Sequence, residues 1–304
     1  MSQVLAVALA KLLDGGDTVA ASTFTTAQRR ALEELARKTG ALRVKSEGRG
    51  SVYQVVHTDM LVVHLRSLRP LNIDEIDFSL PKRAANIAQT RSSKGAGHGH
   101  VLHYLLVKAI SHGVTWKAER AGSSRCLDLS AVTDIAGAGV LALADDDSWQ
   151  SEQPLWLVEN QALFDRLDWL PPGATGTVGY YAGQLPAHFL RWIAAKQRTP
   201  EVILFPDYDG VGLLNYARLR EVCAGPCSFW LMPDWQARLN AFGSHQVWLN
   251  THSDFQSALT RLEAMGWEDG VSDLCKALSS AGMALEHESV WLPVPGPVQQ
   301  LTSK

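Results

Sequence analysis

Along this chain the spacing of apolar residues changes period several times, and each change marks an element. Pro154-Leu-Trp-Leu-Val158 is a short apolar run of strand length that stops at Glu159-Asn160; Gln161-Ala-Leu-Phe-Asp-Arg-Leu167 then takes up helical spacing. Val202-Ile-Leu-Phe205 is a second such run, followed by Pro206-Asp207-Tyr208-Asp209-Gly210-Val211-Gly212 and a helix around Leu213, Leu214, Ala217 and Leu219. Nearer the start, Thr25-Thr-Ala-Gln28 has capping-box spacing, with Leu32, Leu35 and Ala36 on one face until Gly40, which predicts a helix over about 26–39. Two β-prone runs, Ala41–Ser46 and Ser51–Val56, are joined by Glu47-Gly-Arg-Gly50 as a hairpin. Ser253–Met265 and Val271–Met283 read as closing helices stopped by Gly266 and Gly282, and Ala284–Val290 alternates like an exposed strand.

These periods place three acids together. Glu159 and Asp207 follow buried-type strands, and side chains two apart in extended chain share a face, so Asp207 and Asp209 are expected to point the same way. In open α/β sheets ligands bind at the carboxyl ends of the strands. Three carboxylates meeting there repel one another unless a cation intervenes, and oxygen donors suit a hard divalent ion such as Mg2+ or Mn2+. Helix capping is the competing account, above all for Asp209, which stands where a helix begins.

Val158-Glu159-Asn160 followed by Asp207-Tyr-Asp209-Gly-Val-Gly212 resembles the signatures of the Toprim fold, and more narrowly those of the Toprim nuclease subunits of condensin-like plasmid-defence systems of the Wadjet and MksBEF type. Those proteins are distantly similar to the topoisomerase VI A subunit and Spo11. The match covers about residues 150–240. It implies that Glu159, Asp207 and Asp209 are catalytic and hold Mg2+ or Mn2+, with Gly212 as the small residue opening the next helix. Ala284-Leu-Glu-His-Glu288 resembles a Leu-Glu-x-Glu stretch of the same proteins, which makes Glu286 and Glu288 secondary metal candidates. The resemblance also implies a winged helix ahead of the Toprim domain, an SMC or condensin-like partner complex and a homodimer.

Charge fits a nucleic-acid partner when taken by region. The net charge is −3, but residues 1–120 carry 17 Lys and Arg against 10 acids, and residues 121–304 carry 11 against 21. A basic half that attracts phosphate and an acidic half that holds metal is one reading; ordinary surface variation is the other. The 26–39 helix and the hairpin after it suggest a winged helix, a fold that binds double-stranded DNA or docks proteins, with Arg29, Arg30, Arg37, Lys38, Lys45 and Arg49 as phosphate contacts. Pro81–Gly97, with Lys82, Arg83, Arg91 and Lys94, suits a phosphate-tracking loop or a solvated linker. His98, His100 and His103 lack an evident fourth ligand and are expected at a helix start, and Asp145-Asp-Asp147 is expected in a solvated interdomain loop.

The expected organisation is α/β: a winged-helix-like α+β region at 1–75, a basic connecting region at 76–150, a Toprim domain with a mainly parallel sheet at 151–250, and a helical extension at 251–304. Trp156, Trp192 and Trp230 fall in apolar runs and read as core. Cys126, Cys223, Cys227 and Cys275 form no C-x-x-C pair and read as free thiols. No segment suits a membrane span, the Val4–Ala10 run lacks the flanks of a signal peptide, and a cytoplasmic protein is expected.

The expected function is a metal-dependent DNA endonuclease that hydrolyses plasmid or foreign DNA alongside a condensin-like complex. Strand cleavage by a tyrosine is the alternative the relatives offer, but Tyr53 and Tyr104 lack their paired-tyrosine context. Two further classes stay open: a non-catalytic DNA-binding regulator on a degenerate Toprim fold, and a small-molecule enzyme on a Rossmann-like sheet. Against the last, no Gly-x-Gly-x-x-Gly follows the first strand.

Overall fold

The computed structural model describes residues 2–48, 50–69, 71, 79–94, 102–120 and 123–294. The chain divides into two compact units, 1–100 and 101–304.

In the first unit, α1 (Ser2–Asp14), β1 (Thr18–Ala20), α2 (Thr26–Thr39), β2 (Leu42–Glu47), β3 (Gly50–Val55), α3 (Thr58–Leu68) and α4 (Lys82–Thr90) follow in order. Its described strands form an antiparallel sheet in the order β1-β3-β2. The α2 helix starts at a full capping box: Gln28 N–H donates to Thr25 Oγ1 and Thr25 N–H to Gln28 Oε1. Leu9, Leu12, Phe24, Leu32, Leu35, Tyr53 and Leu61 make the core, with Phe24 edge-on to Tyr53 at 5.4 Å. Tyr53 is therefore a core residue, its hydroxyl donating to Glu33 at 3.4 Å. Arg30 and Arg37 lie on the side of α2 opposite buried Gln28, Leu32 and Leu35, with Arg29 and Lys38 on its two flanks. All four are exposed, as are Lys45, Lys82, Arg83, Arg91 and Lys94, and Lys38 pairs with Glu34 at 2.6 Å. Arg49 lies outside the described residues, as do His98 and His100.

The second unit opens with β4 (His103–Ala109), β5 (Thr115–Arg120), β6 (Ser123–Asp128), α5 (Leu129–Ala136) and β7 (Gly139–Leu143). It continues through β8 (Leu155–Val158), α6 (Gln161–Asp165), β9 (Thr177–Tyr180), α7 (Ala187–Ala195), β10 (Val202–Phe205), α8 (Gly210–Val222) and β11 (Cys227–Phe229). Helices α9 (Trp235–Phe242), α10 (His245–Met265) and α11 (Asp269–Ala281) precede a 3-10 turn at His287–Trp291. Among the described residues, six strands form one sheet in the order β11-β10-β8-β9-β4-β7. Neighbours from β11 to β9 run parallel, while β4 is antiparallel to both β9 and β7. Every residue of β8 and β10 is buried, as expected of strands covered on both faces. Trp156, Trp169, Phe205 and Trp230 interlock here: Trp156 is core, as is Trp192, while Trp230 is half-buried and packs against the core.

Several expectations are corrected. Residues 102–150 are not a connecting region: Leu105 and Val107 of β4 and Leu141 and Leu143 of β7 alternate into the core of the sheet. A boundary at 250/251 falls inside α10, whose first turn caps on Ser244. His103 begins a strand rather than a helix. Asp147 is no solvated loop residue: its Oδ1 lies 3.0 Å from Nη1 of Arg198, which is 2% exposed, and accepts from Trp192 Nε1 at 2.8 Å. Ala284–Val290 is not an exposed strand, because Leu285 bridges Tyr208 and the chain then coils with His287 buried.

Candidate metal centre

Three parallel strands end at one place. Val158 pairs with Phe205 on one side and Tyr180 on the other, so Glu159, Pro206 and Tyr181 leave the carboxyl ends of β8, β10 and β9 at the same level. Asn160 starts α6 by accepting from Ala162 N–H at 3.0 Å. Past Pro206 the chain makes an isolated bridge, Tyr208 N–H to Leu285 O at 2.8 Å and Leu285 N–H to Tyr208 O at 3.0 Å. This bridge draws the segment 286–288 alongside Asp207.

Asp207 Oδ1 accepts the His287 N–H at 2.8 Å, and His287 Nδ1 lies 2.7 Å from the same oxygen. The imidazole has no exposed surface and packs 5.3 Å from the Phe205 ring. Its Nε2 is 3.9 Å from Glu288 Oε2, and the Asn160 amide donates to Glu288 Oε1. One ligand atom each from Asp207, His287 and Glu288 falls within a single 4.8 Å group.

Glu159 stands beside this group. Tyr181, a buried tyrosine, donates to its Oε2 at 3.3 Å. Burial, followed by the charges of Asp207 and Asp209, pushes the Glu159 carboxyl up to about 7, with His287 and Tyr181 acting the other way. Asp209 is taken up locally: its Oδ1 accepts Gly212 N–H at 2.8 Å as the cap of α8. Burial raises it to about 6, with Asp207 and Asp254 adding to the rise and the α8 N–H donors opposing it. For His287, burial lowers the pKa, but Asp207, Glu288 and Glu159 outweigh it and the net direction is up.

The acids named from the sequence thus divide. Asp207 and Glu288 join the close group, Glu159 adjoins it through mutual charge, Asp209 caps a helix, and Glu286 is exposed outside the group. His287 escapes the sequence pattern because the 284–290 alternation reads as a strand, and Asn160 because its partner lies 128 residues away. The glycines after Asp209 are set by close approach. A Cβ on Gly212 would stand 2.0 Å from Asp207 O, and one on Gly210 would stand 1.9 Å from Thr251 O of α10.

The donor set suits a hard divalent cation. Asp207 and Asp209 lie close enough to Glu159 to raise its proton affinity, and His287 Nε2 is buried with no hydrogen-bond partner among the described residues. No protein-family model matches this chain, and no curated protein matches it. Among the described residues, no helix is long and apolar enough to cross a membrane.

Proposed function

We propose that this chain is a Mg2+- or Mn2+-dependent endodeoxyribonuclease that hydrolyses DNA on a Toprim-like second unit, with a winged-helix-like first unit gripping the duplex. The observation that carries this is the convergence of Asp207, Glu288 and His287, with Glu159 beside them, where β8 and β10 end. Asp207 and Glu288 would hold the cation, and Glu159 would join them once deprotonated. When bound, the ion would stabilise charge on the phosphoryl oxygens and activate a water.

The chain's own groups handle position and protons. Glu159, near 7, takes and releases a proton at neutral pH, and Tyr181 fixes its orientation through Oε2. His287 holds Asp207 from behind with both its backbone N–H and its ring. Asn160 holds Glu288 through its side-chain amide. Arg29, Arg30, Arg37 and Lys38 on α2, with Lys45 on the hairpin, offer cations to phosphates. Tyrosine-linked cleavage has less support, since Tyr53 is core and Tyr104 stands on β4. A condensin-like complex as partner, a second copy of the chain and a role against plasmids rest on the resemblance of Val158-Glu159-Asn160 and Asp207–Gly212.

The test is conversion of closed circular plasmid by the purified chain, alone and with its condensin-like complex, in Mg2+, Mn2+ and chelator. Cleavage that needs the metal and is lost in Asp207→Ala and Glu288→Ala supports the reading; intact plasmid under every metal and partner condition sinks it. A second reading, a DNA-binding regulator without catalysis, is favoured by the internal use of the acids: Asp209 as a cap and Asp207 against His287. It expects salt-sensitive DNA binding that Asp207→Ala leaves unchanged, with no cleavage.

A further inference from the structure

The rim of the metal centre carries an indole and a guanidinium that the chemistry above does not use. Trp291 ends the 3-10 turn that delivers His287 and Glu288. In a 3-10 turn side chains three apart eclipse and each residue rises about 2 Å, so Trp291 stands over Glu288, about 6 Å further along. The short helix α6 lies beside this turn and meets it at both ends. Its cap Asn160 donates to Glu288 Oε1, and Arg166 at its far end lies over the Trp291 ring, 4.8 Å from the centroid.

One carboxylate fixes both groups. Asp168 Oδ2 accepts from Arg166 Nη2 at 2.5 Å, and its Oδ1 accepts from Trp291 Nε1 at 2.9 Å. These donors, Arg166 foremost, hold the Asp168 carboxyl below its ordinary range. The carboxylate offsets the charge of Arg166, which weakens its pull on a phosphate. What remains on offer is a plane: the guanidinium rests on an aromatic ring, is oriented by Asp168, and leaves 62% of the side chain exposed. Arg238 is used differently. Its Nη1 donates to Ser289 O and, at 2.6 Å, to Leu292 O, which secures the 3-10 turn without Arg166.

We propose that Arg166 on Trp291 is a stacking shelf for one unpaired nucleobase beside the metal-bound phosphate, so that the substrate is DNA that is single-stranded or locally melted where it is cut. The inference rests on the nuclease reading above and names its substrate class. Bases in an intact duplex are already stacked on their neighbours, and none is free to lie on the guanidinium. An unpaired base presents a π face to the shelf whatever its identity, which makes the contact sequence-tolerant. In a closed circular plasmid, underwinding supplies such melted positions.

The experiment measures binding of two fluorescein-labelled DNAs to the full-length chain in Ca2+, an oxygen-ligated ion: a continuous duplex, and the same duplex with a short unpaired bubble. The wild type is expected to bind the bubble roughly ten-fold tighter, the worth of about one stacked base. Arg166→Lys keeps the charge and loses the plane. It is expected to bring bubble affinity down to that of the duplex, with duplex affinity and the unfolding midpoint unchanged. Equal wild-type affinity for the two DNAs overturns the proposal. So does an Arg166→Lys chain that keeps the full bubble preference, the behaviour of a simple phosphate contact. Metal-dependent plasmid cleavage tests the nuclease reading by itself and survives either of these results, whereas a wild type that binds neither DNA overturns both.

Discussion

Gly212 is fixed by the backbone it touches, not by the helix it begins: a Cβ there would stand 2.0 Å from the Asp207 carbonyl. Gly212→Ala is therefore expected to displace Asp207 and cost roughly 1–3 kcal/mol, as overpacking does, with loss of Mn2+ binding. Thermal denaturation and Mn2+ titration of the variant check both effects. Protons give a second residue-scale expectation. Glu159 is held at about 7 against an ordinary 4.5, and Asp209 at about 6 against 3.8, so the folded metal-free chain binds more protons than the unfolded chain between about pH 4 and 7. The stability linked to these groups is present at low pH and is lost as pH rises through 7. Mn2+ must displace the Glu159 proton, so its affinity is expected to rise over the same window. Melting temperatures with and without Mn2+ at pH 5.5 and 7.5 should show a larger metal-induced gain at the higher pH, and Glu159→Gln should flatten that difference.

Among the elements, the link between α7 and β10 is held by Arg198, whose Nη1 reaches Asp147 Oδ1 at 3.0 Å and the Asp147 carbonyl at 2.9 Å, while its Nε reaches Trp192 O at 3.0 Å. Arg198→Ala leaves Asp147 without its cation and is expected to cost about 3–5 kcal/mol, read as a fall in the unfolding midpoint, because breaking a buried pair strands a charge. Nothing in the Asp145-Asp-Asp147 run itself announces this role; its partner is 51 residues on. The elements legible in the sequence are those with a local signal: α2 with its capping box, the β2–β3 hairpin, β8 and β10 as unbroken apolar runs, and α10 and α11 with their glycine stops. The antiparallel strand β4 is hidden by the basic and glycine-rich sequence before it, and β7 by an Ala- and Gly-rich run that ends in Asp145-Asp-Asp147. At the site, Glu159 and Asp207 are legible from strand ends, whereas His287 depends on the Tyr208–Leu285 bridge, a pairing that no local period encodes.

For the whole molecule, the basic first unit and the acidic second unit imply a division of labour that salt can read. Replacing Arg29, Arg30 and Arg37 together by Ala is expected to weaken duplex DNA binding on every sequence and to lower the salt-dependence slope by roughly one for each phosphate left without its cation, measured by fluorescence titration over a salt series. Plasmid cleavage by the same variant should fall in parallel, while its Mn2+ binding stays unchanged. Everything downstream rests on whether the acids at the ends of β8 and β10 hold a divalent ion. Electron paramagnetic resonance of Mn2+ added to the full chain at pH 7.5 measures this directly, since bound Mn2+ loses the signal of the free ion. Saturable binding in the wild-type chain that disappears in a folded Asp207→Ala variant is the result expected. No binding by the wild type, or equal binding by the variant, contradicts it.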